Sequence, residues 1–257
     1  MLGFFFKQYD GIADRYVIFD SGSTDGSLDI LHSHPKVEVR PFPPRIDDSY
    51  VLTAQHLHNT VWKQSRDRAD WAIITAIDEH LMHPCLHTYL QRGLNAGVTM
   101  LPALGYQMIS DVFPGSDAML TKTITTGAPF AKMSKLCIFQ PNAIRETRFG
   151  VGRHDASPEG QICIPQQDEV LNLHFKYLDF DRLHARHQFL AGGLGGLDQK
   201  RNWGHRYLYD KDRLRDDWNA FADLAIDLRD AVPNAAAVHN ENRWWRSAEN
   251  SYAEIKL

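Results

Sequence analysis

Apolar and polar positions along the chain alternate between short β-rich runs and stretches with helical spacing. Residues 15–19 (RYVIF) form a β-branched and aromatic run that ends in Asp20 and leads through the turn-rich loop SGSTDGS into a helical pattern. Further strands are predicted at residues 37–40, 71–77, 97–101, 135–139 and 170–173, and helices at residues 50–66 and 85–94. This alternation predicts an α/β sandwich.

The run at residues 71–77 (WAIITAI) is continuously apolar, which is typical of a strand buried on both faces of a mostly parallel sheet. After residue 180 the pattern changes to charged helical stretches at 181–190 and 210–229, separated by the turn AGGLGG and the aromatic loop NWGHRYLY. We therefore expect an α/β part over residues 1–180 and a helical C-terminal extension over residues 181–257 that packs on it.

The tail from residue 234 onward is polar apart from Trp244 and Trp245. We expect this tail to be loosely held. Its two tryptophans either pack on the domain or serve a partner subunit, and the second reading makes a homodimer an expectation.

Composition places the chain among globular proteins and excludes several functions. Of 257 residues, 43% are apolar and 23% are charged, and a net charge of −4 gives no overall reason to bind nucleic acid or anionic lipid. The three cysteines are odd in number and widely spaced, so we expect reduced core thiols. No run approaches the roughly 20 apolar residues that span a bilayer. The expectation is a cytoplasmic protein without a transmembrane segment.

Carboxylates follow two of the predicted strands. Asp20 ends the first run and Asp78 with Glu79 ends the WAIITAI run, and open α/β sheets bind ligands beyond the carboxyl ends of their strands. One carboxylate could accept from a nucleobase or ribose while the other anchors a divalent ion against a diphosphate. The competing structural interpretations are an Asx turn at Asp20 and a helix N-cap before Leu81.

Several segments resemble one enzyme family in the same order. IFDSGSTDGSLDIL resembles the V-x-D-x-G-S-T-D-G-S signature of family 2 GT-A glycosyltransferases, and WAIITAIDEHLMHP resembles the W-hhh-x-D-x-D-E-F-hh-H-P segment of a bacterial, family-2-like subgroup. GYQMIS, KLCIF, GVGRHDASPEG, LHFKYL and the later W-G-x-x-Y segment continue the similarity, which spans roughly residues 4–209. The resemblance implies a GT-A sandwich with a mixed, mostly parallel sheet. It also implies inverting transfer of a sugar from a nucleotide diphosphate donor, usually a UDP-sugar, to a hydroxyl of a glycan or other acceptor.

Residue by residue, the resemblance implies a donor site on the first motif. Asp20 would bind the base, usually uracil, and Ser23 and Asp25 would complete the donor-binding loop. Lys176 would neutralise phosphate, and Arg153 would pair with phosphate or an acidic sugar.

The second motif implies a divalent metal, Mn²⁺ or Mg²⁺. Asp78 stands at the last acid of the D-x-D element, the one that meets the metal, and His174 stands where such enzymes supply a late histidine to the metal or diphosphate. Glu79 would orient the site. On sequence alone, a histidine such as His174 is more often a satisfied core residue.

Inverting transfer needs a general base near the acceptor hydroxyl. His154 or Asp155, in the loop GVGRHDASPEG, is the candidate. The alternative is a purely structural loop in which Asp155 caps a turn. The aromatic loop at residues 203–209 either offers a stacking surface for sugar rings or forms packing core.

Three departures separate the chain from the family pattern. Ala76 stands at the first acid of D-x-D, His80 replaces the usual aromatic residue, and the family's first strand and K-N-E-like loop precede the segment at which this chain begins. Metal binding could then use Asp78 with His80 or His174, or give way to lysine and arginine. The alternative functions are a degenerate GT-A domain that binds nucleotide or glycan without catalysis, and a nucleotidyltransferase. The nucleotidyltransferase lacks its basic Gly-rich loop here, and no H-E-x-x-H spacing supports a metallohydrolase.

Overall fold

The computed structural model describes residues 1–229, 239, 243–247 and 250–257. In this part of the chain the α-helices are α1 (Leu2–Tyr9), α2 (Ser27–Ser33), α3 (Tyr50–Thr60), α4 (Leu86–Ala96), α5 (Leu120–Thr123), α6 (Phe180–Ala191), α7 (Gly196–Lys200) and α8 (Lys211–Asp223). The strands are β1 (Tyr16–Asp20), β2 (Val37–Pro41), β3 (Ala72–Ile73), β4 (Glu79–Met82), β5 (Met100–Ser110), β6 (Thr126–Pro129), β7 (Lys135–Phe139), β8 (Ile144–Glu146), β9 (Glu159–Gly160), β10 (Cys163–Pro165), β11 (Leu171–Leu178), β12 (Ile226–Asp227) and β13 (Ala253–Ile255). The mixed α/β character predicted from the sequence is confirmed.

The largest sheet is built around the long strand β5. On one side β5 pairs in parallel with β11, and on the other its first half pairs antiparallel with β7 and its second half with β6. Strand β4 adds antiparallel to β11, β3 to β7 and β12 to β6. The expectation of a mostly parallel sheet was therefore wrong, because among the described strands of this sheet only β5 and β11 run in parallel.

Gly105 allows β5 to change partner halfway along its length. A Cβ at this position would lie 2.1 Å from the carbonyl carbon of Met133, and the Gly105 carbonyl accepts from the Phe130 amide at 2.9 Å. Because only glycine permits this approach, the segment between β6 and β7 can cross directly over β5. The sheet curls at this point.

Apolar side chains of β5 are buried on both faces of the sheet, as the strand periodicity requires. Met100, Leu104 and Tyr106 enter one apolar cluster, whereas Leu101 and Ala103 enter a second cluster that includes helices α1 and α4. No helix in the described ranges combines the length and the apolar character needed to cross a membrane.

Strands β1 and β2 form a separate parallel pair, with Tyr16 opposite Val37 and Asp20 opposite Pro41. Helix α2 connects them, so the strand, loop and helix predicted for the first motif are confirmed. Within the described residues this pair is not hydrogen-bonded to the large sheet.

The predicted strand at residues 71–77 is mostly not a strand. Within it only β3 pairs with another strand, because side chains form hydrogen bonds with the backbone groups of the residues that follow β3. The Arg153 guanidinium donates to the Ile74 carbonyl at 2.8 Å, and the Glu79 carboxylate accepts from the Ala76 amide at 3.2 Å. Asp78 consequently lies in a turn between β3 and β4 instead of at the tip of a long strand.

The C-terminal region is more than the predicted helical extension. Helix α6 begins at an N-cap, Asp179, whose carboxylate accepts from the first-turn amides, and α6 and α8 pack on the large sheet. Strand β12 then joins the large sheet and β13 pairs with β10. Residues after 180 therefore complete two sheets of the α/β part.

The C-terminal tryptophans pack on the domain, so the expectation of a loose tail is wrong for residues 243–247, whereas residues 234–238, 240–242, 248 and 249 lie outside the described part of the chain. Trp245 is 1% exposed, and its indole donates to the buried Asp168 carboxylate at 3.0 Å. Arg243 and Arg246 donate to the same carboxylate, each at 2.9 Å at the shortest. The tail therefore offers no argument for a homodimer, which stays a prediction.

Candidate functional site

A shallow cleft lies at the carboxyl end of β1. It encloses about 410 Å³ and is lined by Asp20, Ser21, Gly22, Pro41, Phe42, Pro43, Pro44 and Arg45. The Asp20 carboxylate accepts from the amides of Gly22 at 2.8 Å and Ser23 at 3.0 Å, which is the Asx-turn arrangement weighed from the sequence. Hydrogen bonds from Ser23 and Gly22 lower the pKa of Asp20. A turn role does not remove it from the cleft, because Oδ2 accepts both short bonds and Oδ1 accepts only a 3.3 Å contact from the Ser23 amide, which leaves Oδ1 a lone pair for a ligand.

An aromatic pair forms one wall of this cleft. The Phe42 ring stacks on Tyr50, with centroids 4.8 Å apart and planes 14° apart, and the Phe42 amide donates to the Asp20 carbonyl at 2.7 Å. Tyr50 backs the ring from the first turn of α3. A flat apolar wall beside a carboxylate suits a planar base that has an N–H donor.

The second carboxylate site brings Asp78 next to His174. Pairing of β4 with β11 sets His174 opposite Glu79, and His174 Nε2 lies 3.6 Å from Asp78 Oδ2. Burial would raise the pKa of Asp78, but the charge of His174 and a hydrogen bond from it lower the pKa to about 2. Asp78 is therefore a carboxylate at any physiological pH.

Gln107 fixes the orientation and tautomer of His174. Its side-chain nitrogen donates to the carbonyls of His174 at 3.0 Å and Met108 at 3.1 Å, so its oxygen must face His174 Nδ1, which lies 2.7 Å away. The Nδ1 hydrogen is then donated to Gln107, and Nε2 faces the Asp78 carboxylate. Histidines that bind metals are usually held in this way through the second ring nitrogen.

Asp78 and His174 fit a divalent ion that shares its coordination with a ligand. One carboxylate oxygen and one imidazole nitrogen 3.6 Å apart can touch the same ion, and the imidazole favours Mn²⁺, a transition metal, over Mg²⁺, which prefers oxygen ligands. Among the residues that the structure describes, no group of three or more metal-binding side chains occurs. Diphosphate oxygens and water would fill the remaining positions.

Cationic and aromatic side chains lie around Asp78. Lys176 Nζ lies 4.3 Å from the centroid of Tyr207. Burial lowers the pKa of Lys176 to about 8, while Asp78 acts in the opposite direction. Burial also raises the pKa of Tyr207, with further contributions from the charges of Asp78 and Tyr50. Of the aromatic loop at residues 203–209, it is Tyr207 that reaches the candidate site.

Helix α6 supplies two arginines that the sequence reasoning did not assign to the site. Arg182 and Arg186 are exposed, and within the described residues neither guanidinium has a carboxylate within 4 Å. The charge of Arg186 contributes to lowering the pKa of Asp25 and opposes the rise in the pKa of Tyr50 and Tyr207, so Arg186 is near these three residues. The spacing of four residues, which places both side chains on one helix face, was the available signal.

The donor-loop residues Ser23 and Asp25 are exposed at the rim. Hydrogen bonds from Ser27 lower the pKa of Asp25, and Asp25 Oδ1 accepts from the Ser27 amide at 3.2 Å, in the first turn of α2. The N-cap itself is Gly26, with φ of 78°. Asp25 still supports the first turn of the helix from the preceding loop.

Glu79 and Arg153 form a buried ion cluster with Lys135. Glu79 Oε2 lies 2.5 Å from Arg153 Nη2 and Oε1 lies 2.6 Å from Lys135 Nζ, and all three side chains are at most 4% exposed. Burial would raise the pKa of Glu79, but the two cations hold it well below its ordinary value. The charge of Arg153 is therefore neutralised by Glu79 inside the protein, and its buried guanidinium is not placed to bind a phosphate. Glu79 holds the loop that carries Asp78 through its bond to the Ala76 amide.

The remaining predicted residues are divided between loop and core. His154 is half-buried, and its Nδ1 donates to the Lys132 carbonyl at 2.6 Å, which leaves Nε2 as an acceptor. Asp155 is exposed. His80 is fully buried between Tyr9 and Phe175, so it takes the aromatic position in the core and does not face Asp78.

No protein-family model matches the sequence, and a comparison with curated proteins finds no match. The chemistry of the site therefore rests on its own residues.

Proposed function

We propose that the protein is a glycosyltransferase that takes a sugar from a nucleotide diphosphate donor, a UDP-sugar, and transfers it to a hydroxyl acceptor with inversion. The observation that carries this proposal is the Asp78–His174 pair, whose Oδ2 and Nε2 lie 3.6 Å apart and can share a divalent ion. The Asp20 cleft would take the base, and the charge of Arg186, which acts on Asp25, Tyr50 and Tyr207, supports a diphosphate between the two. GT-A architecture belongs to the same proposal.

The base would lie against Phe42, with its N–H donated to the Asp20 carboxylate. Uracil fits this slot because its N3 is a donor and its ring is flat. Arg45 lines the same cleft and could reach the ribose or the first phosphate.

The diphosphate would pass Arg186 and Arg182 on its way to Asp78. These two cations and Lys176 lack carboxylate partners within 4 Å in the described residues, so their charges are available to the phosphate oxygens. They replace Arg153 as the predicted phosphate ligands. A divalent ion on Asp78 and His174 would supply further neutralisation of the leaving diphosphate.

Asp155 and His154 remain the candidates for the general base. Burial lowers the pKa of His154 to about 4, so its ring is neutral at pH 7 and its Nε2 can accept a proton. Asp155 is the more accessible of the two. Asp155→Asn and His154→Gln should distinguish them, because loss of the base reduces turnover and leaves UDP affinity unchanged.

A degenerate, non-catalytic nucleotide-binding domain is the second candidate, and Ala76 favours it. This residue is exposed two positions before Asp78 and brings no carboxylate to the cleft. Release of UDP from a panel of UDP-sugars, measured with and without simple glycoside acceptors, decides between the two. Metal-dependent release supports the transferase. UDP binding without release, unchanged in Ala76→Asp, would favour the degenerate domain.

A further inference from the structure

The carboxylate of Asp198, in the C-terminal region, caps the helix that borders the base cleft. Asp198 is fully buried, and its Oδ2 accepts from the amides of Tyr50 at 2.9 Å and Gly195 at 3.0 Å. The Ser49 hydroxyl donates to Oδ1, and the Val51 amide lies 3.4 Å from the same oxygen. Helix α3 is therefore capped by its own Ser49 and by a carboxylate that is remote in sequence.

A second contact joins the same two segments. Asp48 Oδ2 accepts from the Gly196 amide at 2.7 Å, and a Cβ at Gly195 would lie only 1.7 Å from the Asp48 carbonyl oxygen. Asp47 and Asp48 have φ values of 49° and 50°, in the left-handed region that side-chain-bearing residues rarely adopt. The Gly-rich turn thus holds the loop before α3 in a conformation that the loop would not favour alone.

This loop carries the walls of the base cleft. Arg45 lines the cleft at one end of the loop, and Tyr50, held by Asp198 at the other end, stacks on Phe42. The contacts therefore run without a break from the C-terminal region to the ring that faces the ligand.

We propose that Asp198 is a positioning residue for nucleobase recognition, which acts through Ser49 and Tyr50 to keep Phe42 in place beside Asp20. This inference rests on the proposed function, because it assigns the cleft to a base. A ring that is already in place loses little freedom when a base stacks on it, so positioning should appear as affinity.

The test compares UDP with inorganic pyrophosphate, both with Mn²⁺, by calorimetric titration of the full chain. Pyrophosphate would bind through α6 and Asp78 alone and has no base. Asp198→Asn replaces one accepting carboxylate oxygen by an NH₂ group, which would face the hydroxyl and amide donors that now bind Asp198. Gly195→Ala adds a Cβ that would collide with the Asp48 carbonyl and push the turn away from it. Gly192→Ala, in the same turn, is the matched control, because its Cβ would be in ordinary contact at 3.5 Å and its φ is −65°.

We expect Asp198→Asn and Gly195→Ala to weaken UDP binding at least fivefold with pyrophosphate binding unchanged, and Gly192→Ala to change neither. Unchanged pyrophosphate binding also shows that each variant is folded. If only one of the two variants folds, the UDP and pyrophosphate affinities of that variant decide whether Asp198 has the positioning role. Should UDP affinity stay the same, or fall in step with pyrophosphate affinity, the positioning role is refuted. If the unmodified protein binds pyrophosphate but shows no preference for UDP, the proposed base site itself is wrong, and the inference falls with it.

Discussion

Asp78, in the turn before β4, and His174, on β11, lie with Oδ2 and Nε2 only 3.6 Å apart. Neither residue would be placed there by its own local sequence. The turn that presents Asp78 depends on Glu79 and Arg153, and the ring of His174 depends on Gln107. Four predictions about this arrangement and its surroundings follow from the chemistry.

Removing the Glu79 charge should destabilise the protein strongly. Glu79→Gln leaves Lys135 and Arg153 buried without an anion, and breaking a buried ion pair from one side costs about 3 to 5 kcal/mol. Urea denaturation measures the change in the free energy of unfolding. Glu159→Gln, which removes the half-buried partner of two exposed arginines, is the control and should have little effect. An equally small change in Glu79→Gln would show that the cluster is not closed in solution.

The protein should lose stability as the pH falls from 6.5 towards 4, above the usual range for carboxylates. Burial lowers the pKa to about 3 for His58 and His187 and to about 4 for His80 and His154. The unfolded chain takes up these protons near pH 6.5 and the folded chain does not, so stability is present above pH 6.5 and falls below it. Thermal unfolding midpoints across this range measure the effect.

A single substitution assigns part of that acid sensitivity. His80→Phe fills the same space between Tyr9 and Phe175 without a titrating group, so the loss of stability between pH 6.5 and 4 should shrink by on the order of 2 to 3 kcal/mol. The exposed His87→Gln is the control. The same pH dependence in His80→Phe and in the unmodified protein would mean that His80 is not buried neutral.

Arg186→Ala should weaken UDP and pyrophosphate binding without lowering stability. Its side chain is exposed and packs only near Phe189, whereas a charged hydrogen bond to phosphate contributes about 1.5 to 3 kcal/mol, or roughly tenfold or more in affinity. Arg68→Ala removes an equal charge from another exposed position and should leave both affinities unchanged. Equal losses in the two variants would indicate a general charge effect and not a contact.

Local sequence signals were sufficient for many elements. The RYVIF and KLCIF runs predict β1 and β7 within one residue, and the helical spacing near Leu86 predicts α4. Each of these depends on neighbours along the chain. The sequence also predicts that Asp20 and Asp78 each follow an apolar run that contains a strand, and both do so in the structure.

The features that the sequence did not predict depend on contacts between residues that are far apart along the chain. WAIITAI has the composition of a strand, yet Arg153 and Glu79 take its backbone groups, and no pattern within the run predicts that. The parallel neighbour of β5 is β11, although five other strands, β6 to β10, lie between them in the sequence. Arg153 matched the expectation for a phosphate ligand by type alone, and Asp198, which caps α3, carried no local signal.

The most direct test of the central claim is calorimetric titration of UDP into the protein and into Asp78→Asn, each with Mn²⁺ and with EDTA. We expect the unmodified protein to bind UDP more tightly with Mn²⁺ and Asp78→Asn to lose that gain, while both keep the same unfolding temperature. UDP binding that is absent, or that is indifferent to both Mn²⁺ and Asp78, would contradict a donor site built on Asp78 and His174.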